Sequence, residues 1–174
     1  MQDIYDKAKR IRLAIFDVDG VLTDGSLYLA DDGEEIKAFN SRDGHGMKML
    51  RDSGVELAII TGRISRCVEL RARNVGVELL FQGVADKARA FAELLAARKL
   101  DATATAYMGD DVVDLPVLRR CGLALTVPEA PFAVKQHADY VTRARAGHGA
   151  AREACELIMH AQSTLERQLE AYLK

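Results

Sequence analysis

The sequence predicts an α/β fold built on a doubly wound parallel sheet, and two observations predict it. Short apolar runs alternate with helical patterns along the whole chain, the rhythm of strands joined by right-handed helical crossovers. Most of those runs are apolar at successive positions, so both faces are covered, as in a parallel sheet between helix layers. No repeat, low-complexity tract or interdomain linker interrupts the pattern. Residues 1–174 are therefore expected to form a single domain.

The elements follow in order. "RLAIFDV" (12–18) reads as the first strand. "SLYLADDGEEIKAF" (26–39) breaks the rhythm: two strand-like arms flank Asp31-Asp32-Gly33, a hairpin turn signal. A hairpin flap over about residues 24–40, projecting above the strand ends, is expected. "GMKMLRDSG" is a helix that stops at Gly54, and "VELAIIT" (55–61) is the next strand. A helix opens on Ser65 as N-cap and closes on Gly76. "ELLF" (78–81), the Ala- and Leu-rich helix 87–100, "ATAYMG" (104–109), the helix "VDLPVLRRCG" ending at Gly122, "LALTV" (123–127) and "DYVT" (139–142) continue the alternation. Ala151, Ala154, Cys155, Ile158, Ala161, Leu165, Leu169 and Tyr172 recur at helical spacing, predicting one long helix from about Ala150 to Lys174.

Composition narrows the function. The formal charge is -2, which argues against a basic nucleic-acid surface. Cys67, Cys121 and Cys155 are scattered, with no metal or disulfide spacing, and fit a reducing compartment. The N-terminus lacks an apolar signal segment and no run approaches the ~18 residues of a membrane span. A cytoplasmic protein without membrane or nucleic-acid partners is expected.

In an open parallel sheet, ligands bind beyond the carboxyl ends of the strands. After the first run come Asp17 and Asp19; after the second, Thr61-Gly62-Arg63; Lys87 opens the helix after the third; Asp110, Asp111 and Asp114 follow the fourth. Each group alone has an ordinary explanation as a turn, a cap or a solvated charge. Their coincidence at one rim does not. Clustered carboxylates repel unless a cation sits among them, and a sparse all-oxygen set suits Mg²⁺ shared with a phosphate.

"DVDGVLTDG", "ITGR", Lys87 and "GDDVVD" resemble, in order and placement, the four motifs of the haloacid dehalogenase-like phosphatases. Within that superfamily the chain is most similar to the 3-deoxy-D-manno-octulosonate 8-phosphate (KDO 8-phosphate) phosphatases, over roughly residues 10 to 162. The resemblance implies a Rossmann-like core and a phosphomonoester hydrolase acting in lipopolysaccharide precursor biosynthesis. It implies Asp17 as nucleophile, Asp19 as general acid and base, and Thr61, Gly62 and Lys87 around the phosphate. Mg²⁺ would be held by Asp17, Asp110 and the backbone carbonyl of Asp19, with Asp111 and Asp114 outside the ligand set or orienting Lys87. An aspartate two residues after the nucleophile marks phosphatases and phosphomutases rather than dehalogenases or ion pumps. By the same resemblance Asn40, Ser41, Arg42, Asp43, Gly44, Lys48, Arg63 and Arg71 surround the sugar acid. At Lys48 related proteins often carry arginine, which leaves its role open.

Neither interval that accepts a large cap domain has room for one here. The family pattern implies a homotetramer whose hairpins and C-terminal segments complete the sites, with Gly147, His148 and Gly149 ordering over a neighbour. An apolar face of the last helix that simply covers its own sheet is the competing expectation. His45 and His148 lack ligand spacing and are read as structural. A phosphatase for a nine-carbon sugar-acid phosphate and a non-catalytic oligomerisation module remain the alternative functions.

Overall fold

The computed structural model describes residues 2–173. It opens with a helix that the sequence patterns did not reveal, α1 (Gln2–Ala8). The strand β1 (Leu13–Phe16) follows, apolar and buried at all four positions. Then come the flap strands β2 (Tyr28–Leu29) and β3 (Glu35–Ile36), α2 (Ser41–Asp52), β4 (Glu56–Ile60), α3 (Arg66–Val75) and β5 (Leu79–Phe81). The second half holds α4 (Lys87–Arg98), β6 (Thr105–Met108), the short α5 (Leu115–Leu118), β7 (Leu123–Thr126), α6 (Phe132–Lys135), β8 (Tyr140–Val141), α7 (Ala150–Ala161) and α8 (Leu165–Glu170).

Six strands form one sheet in the order β5-β4-β1-β6-β7-β8, and every pairing is parallel. The chain winds outward from β1 through β4 to β5, then returns to the other flank of β1 with β6. That reversal is the topological switch point at which open α/β sheets bind ligands. Register sharpens it: Phe16 pairs with Ile59 of β4 and with Met108 of β6, so three central strands end level. Tyr107, Phe16, Ile15, Ile59, Ile60, Leu123 and Leu125 fill the buried core.

Several boundaries differ from expectation for identifiable reasons. The flap pairs only Tyr28 with Ile36 and Leu29 with Glu35, around Gly33 at φ 86°; its arms are shorter than 26–39 because little apolar surface there is buried. Helix α2 starts at Ser41, five residues earlier than its apolar pattern, because the Asn40 side chain accepts hydrogen bonds from the amides of Arg42 and Asp43. The "VDLPVLRRCG" stretch divides into a 3-10 turn (Val112–Asp114) and α5, with a proline in the first turn of α5. The long terminal helix is broken. Ser163 takes φ 56°, and Gln162 turns its side chain to donate to the carbonyls of Ala8 and Ile11. Lys174, the end of that expected helix, lies outside the described residues.

Of the two readings of the last helix, α7 covers its own core: Ala150, Ala151, Ala154, Cys155, Ile158 and Met159 are all buried. No residue of α8 is buried. The glycine-rich segment before α7 also packs within the chain, since the Gly147 amide donates to the Val21 carbonyl at 3.0 Å. A Cβ on Gly147 would lie 2.6 Å from the Thr23–Asp24 backbone, so glycine is required for this approach. His148 Nδ1 lies 2.9 Å from the Ala146 carbonyl oxygen, and the His45 ring meets Tyr172 edge-on at 5.4 Å. Among the described residues, no helix is long and apolar enough to cross a membrane.

Candidate active site

The site begins where β1 stops. Asp17 is the first residue past Phe16, and its amide donates to the Met108 carbonyl of β6, so it stands beside the start of the Gly109–Asp114 loop. Thr61 directly follows β4, and Lys87 is the first residue of α4. Asp17, Asp19, Thr61, Gly62, Arg63, Lys87, Asp110 and Asp111 share one open cleft of about 250 Å³. The charged and hydroxyl groups separated by up to 94 positions in sequence thus converge through the level strand ends alone.

Lys87 is the hub of the buried part. Its Nζ lies 3.0 Å from Asp17 Oδ1 and 2.6 Å from Asp114 Oδ1, with its side chain only 5% exposed. Burial alone would push its pKa down, but the two carboxylates outweigh that and raise it. Asp114 is fully engaged. Its Oδ1 also accepts from the Tyr107 hydroxyl at 2.6 Å, and its Oδ2 accepts from the amides of Asp110 and Asp111. With four donors already placed, Asp114 orients Lys87 and the loop; it has no oxygen to spare for a metal. Asp111 caps the following 3-10 turn through the Val112 amide and is exposed.

The remaining acids fit a divalent cation. Oxygens of Asp17 and Asp110 lie within 4.8 Å of each other and of an oxygen of the already engaged Asp114. Asp17 Oδ1 is buried and has no aligned hydrogen-bond donor, despite its ion pair with Lys87. Burial raises the Asp17 carboxyl to about 6 against the pull of Lys87, with the Asp114 charge adding to the rise. Burial and the neighbouring Asp17, Asp114 and Asp111 charges raise Asp110 to about 7. Carboxylates so placed are short of positive charge, and Asp17 with Asp110 is the pair still free to supply oxygens. Gly20 (φ 88°) makes room for them: a Cβ there would lie 2.1 Å from Asp110 Oδ2.

Asp19 faces the flap rather than solvent alone. The ammonium of Lys37 donates to Asp19 Oδ1 and lies 2.8 Å from Glu35 Oε1; Glu35 Oε2 accepts from Arg63 Nη2 at 2.5 Å. Arg63 is thereby the one predicted sugar-binding arginine on the cleft. The rest of that set lies elsewhere. Asn40 caps α2, and Ser41 and Arg42 are exposed on its first turn. Asp43 is buried, accepting from the amides of Gly149 (3.2 Å) and Arg152 (2.8 Å) at the start of α7. Arg71 donates to the Asn40 carbonyl at 2.7 Å and sits over the Phe39 ring, a packing that needs Gly44, whose Cβ would lie 2.0 Å from Arg71 Nη2. Lys48 is half-buried on α2. Within one chain Asn40, Asp43, Gly44 and Arg71 form a junction of α2, α3 and α7, away from the cleft.

Sequence reasoning missed Tyr107, Glu35 and Lys37. Tyr107 is hidden as one more apolar-strand residue. Glu35 and Lys37 carried a signal, since residues two apart in a strand share a face and Ile36 between them points outward, 57% exposed.

A parallel sheet with a strand-end aspartate, a buried lysine and a second acid loop defines a haloacid dehalogenase-like hydrolase, and the family model so described matches residues 71–153. A 3-deoxy-D-manno-octulosonate 8-phosphate phosphatase from Yersinia pestis is 46% identical over 94% of this chain and 88% of its own length. Two crystal structures superimpose closely. One, a probable YrbI family phosphatase from Pseudomonas syringae pv. phaseolica, has a TM-score of 0.98 at 53% identity, covering 100% of this chain and 99% of that one. The other is the 3-deoxy-D-manno-octulosonate 8-phosphate phosphatase of Moraxella catarrhalis, in complex with magnesium, phosphate and KDO; its TM-score is 0.97 at 40% identity, covering 99% of each chain. This chain belongs to the 3-deoxy-D-manno-octulosonate 8-phosphate phosphatase family.

Proposed function

We propose that this protein is a Mg²⁺-dependent phosphatase that hydrolyses 3-deoxy-D-manno-octulosonate 8-phosphate to the free sugar acid and inorganic phosphate. The observation that carries this reading is the meeting of Asp17, Lys87 and Asp110 at the ends of β1 and β6, in a chain related to such phosphatases over nearly its full length. In our assignment an Asp17 carboxylate oxygen attacks phosphorus as the bond to the sugar oxygen breaks, forming an aspartyl-phosphate. Asp19 gives its proton to the departing alkoxide, then takes one from the water that hydrolyses the intermediate and frees Asp17. Lys87 keeps Asp17 ionised and offsets phosphoryl charge, while Thr61 and the Gly62 amide hydrogen-bond the phosphate oxygens. Asp17, Asp110 and the Asp19 carbonyl would hold Mg²⁺, which supplies the positive charge that lets an anionic ester approach an anionic nucleophile.

Phosphate release from a panel of eight- and nine-carbon sugar-acid phosphates tests the assignment. The highest kcat/KM is expected on the eight-carbon substrate. A preference for a nine-carbon acid would correct the substrate while leaving the phosphatase intact; no release from any ester would remove both.

Protons and metal should compete at this site. The folded-state pKa values of Asp17 and Asp110, about 6 and about 7, lie above the ordinary value of about 4. Protonation of the pair therefore stabilises the metal-free fold fully below about pH 4, and this contribution is lost as pH rises through 6 and 7. The Mg²⁺-induced rise in thermal midpoint is accordingly expected to be larger at pH 8 than at pH 5. An equal rise at both, or none at pH 8, contradicts the ligand assignment.

The protein is further proposed to act in the cytoplasm as a homotetramer. Leu27, Tyr28, Leu29 and Ile36 of the flap are 48–64% exposed, an apolar set that a second subunit would cover. Light scattering reading a monomer at working concentration would end that proposal.

A further inference from the structure

Lys37 is a lysine where solvated lysines are the rule, yet its side chain is only 1% exposed. It follows β3 on the flap and points inward with Glu35, while β2 on the opposite arm is exposed at both positions. The flap therefore buries little apolar surface, and its attachment to the core is polar. Lys37 reaches Asp19, Arg63 reaches Glu35, and Cys67 Sγ lies 3.4 Å from the Glu35 carbonyl oxygen. The Lys37 Nζ sits between the Asp19 carboxylate and Glu35 Oε1, the latter 2.8 Å away. An ammonium held between two carboxylates of its own chain is already spoken for, so it is not a free contact for a substrate anion.

We infer that Lys37 is a positioning residue that fixes the Asp19 carboxyl toward the leaving group, so that flap placement and proton delivery are one event. Glu35 holds the ammonium from the other side and ties Arg63 to the same unit. The inference rests on Asp19 being the proton donor, and the test separates the two claims. Expulsion of an alkoxide needs a proton, whereas p-nitrophenolate departs without one. For Lys37→Met, kcat/KM on the sugar-acid phosphate is expected to fall about tenfold or more, part of the ~10²–10⁴ a general acid supplies. On p-nitrophenyl phosphate the change is expected to stay within about threefold. Lys37→Arg should restore most of the alkyl-ester activity, and Asp19→Asn should show the same selectivity more strongly. If Lys37→Met lowers both substrates equally, or neither, while Asp19→Asn stays selective, Lys37 only anchors the flap and the inference is wrong. Loss of selectivity in Asp19→Asn itself overturns the proton-donor reading and the inference with it. Circular dichroism and thermal midpoints establish folding. Should Lys37→Met not fold, Glu35→Gln carries the same comparison, with a smaller selective loss expected and an equal loss on both esters overturning it.

Discussion

Asp17→Asn is expected to abolish turnover, lowering kcat by at least about 10⁴-fold, the scale seen when a nucleophile is removed from an assembled site. The amide has the same shape but no anionic oxygen to attack phosphorus. Its effect on folding should run the other way. Asp17 is 6% exposed, and burial is what lifts its pKa to about 6, so the carboxylate is carried at a cost near neutral pH. Removing that charge leaves Lys87 with Asp114 at 2.6 Å as its partner. A thermal midpoint equal to or above that of the unsubstituted protein is expected in the absence of metal. Acid-quenched reactions should yield phosphoprotein from the native chain and none from the variant. Retained phosphate release by Asp17→Asn would place the nucleophile elsewhere.

Lys87→Met attacks stability and chemistry together. The substitution leaves Asp17 and Asp114 facing each other in a buried site, and breaking a buried pair by removing one partner costs roughly 3–5 kcal/mol. The loss should appear as a lower denaturant midpoint with an unchanged slope. Its pH dependence follows from sign. Without the ammonium, whose pull lowers the Asp17 pKa, that carboxyl moves further above its unfolded value, so the penalty is present at high pH and relieved as protons bind on acidification. Lys87→Met should thus approach the native chain in stability between pH 8 and pH 5, and Asp114→Asn in the same background should recover part of the loss. A penalty below about 1 kcal/mol at pH 8, the worth of an exposed pair, would mean that water enters the cluster freely. Phosphate release is expected to fall with Asp17→Asn severity, because the nucleophile loses the charge that keeps it ionised.

What could be read in the sequence is what lies next to a strand end. Asp17, Thr61 and Asp110 each stand one or two residues beyond an apolar run, and Lys87 opens the helix after another. In a parallel sheet those positions must share an edge, so local pattern was enough. Asn40 to Gly44 and Arg71 were a different matter. Polar residues at a helix start, like an arginine midway along a helix, are equally suited to gripping a sugar and to building a junction. Asp43 contacts Gly149, 106 positions away, and no local pattern encodes that pairing. The break at Ser163 was also invisible, because the helical spacing of Leu165 and Leu169 continues across it while Gln162 is drawn aside by the carbonyls of Ala8 and Ile11.

By itself, then, the order of residues determined the sheet, its central strand and the acids and lysine on its rim, because period and strand-end position are short-range properties. The family resemblance already set Asp110 toward the cation and left Asp111 and Asp114 outside the ligand set or orienting the lysine. Tertiary structure alone supplies the physical reason that it is Asp114 which serves Lys87. Asp114 and Asp110 are alike as residues, and the Tyr107 hydroxyl, the Lys87 ammonium and two loop amides converging on Asp114 distinguish them physically. The same holds for Lys37, whose partner Asp19 is 18 residues away across a turn. Hydrogen-bond capacity is exhausted in three dimensions, and no spacing along the chain records it.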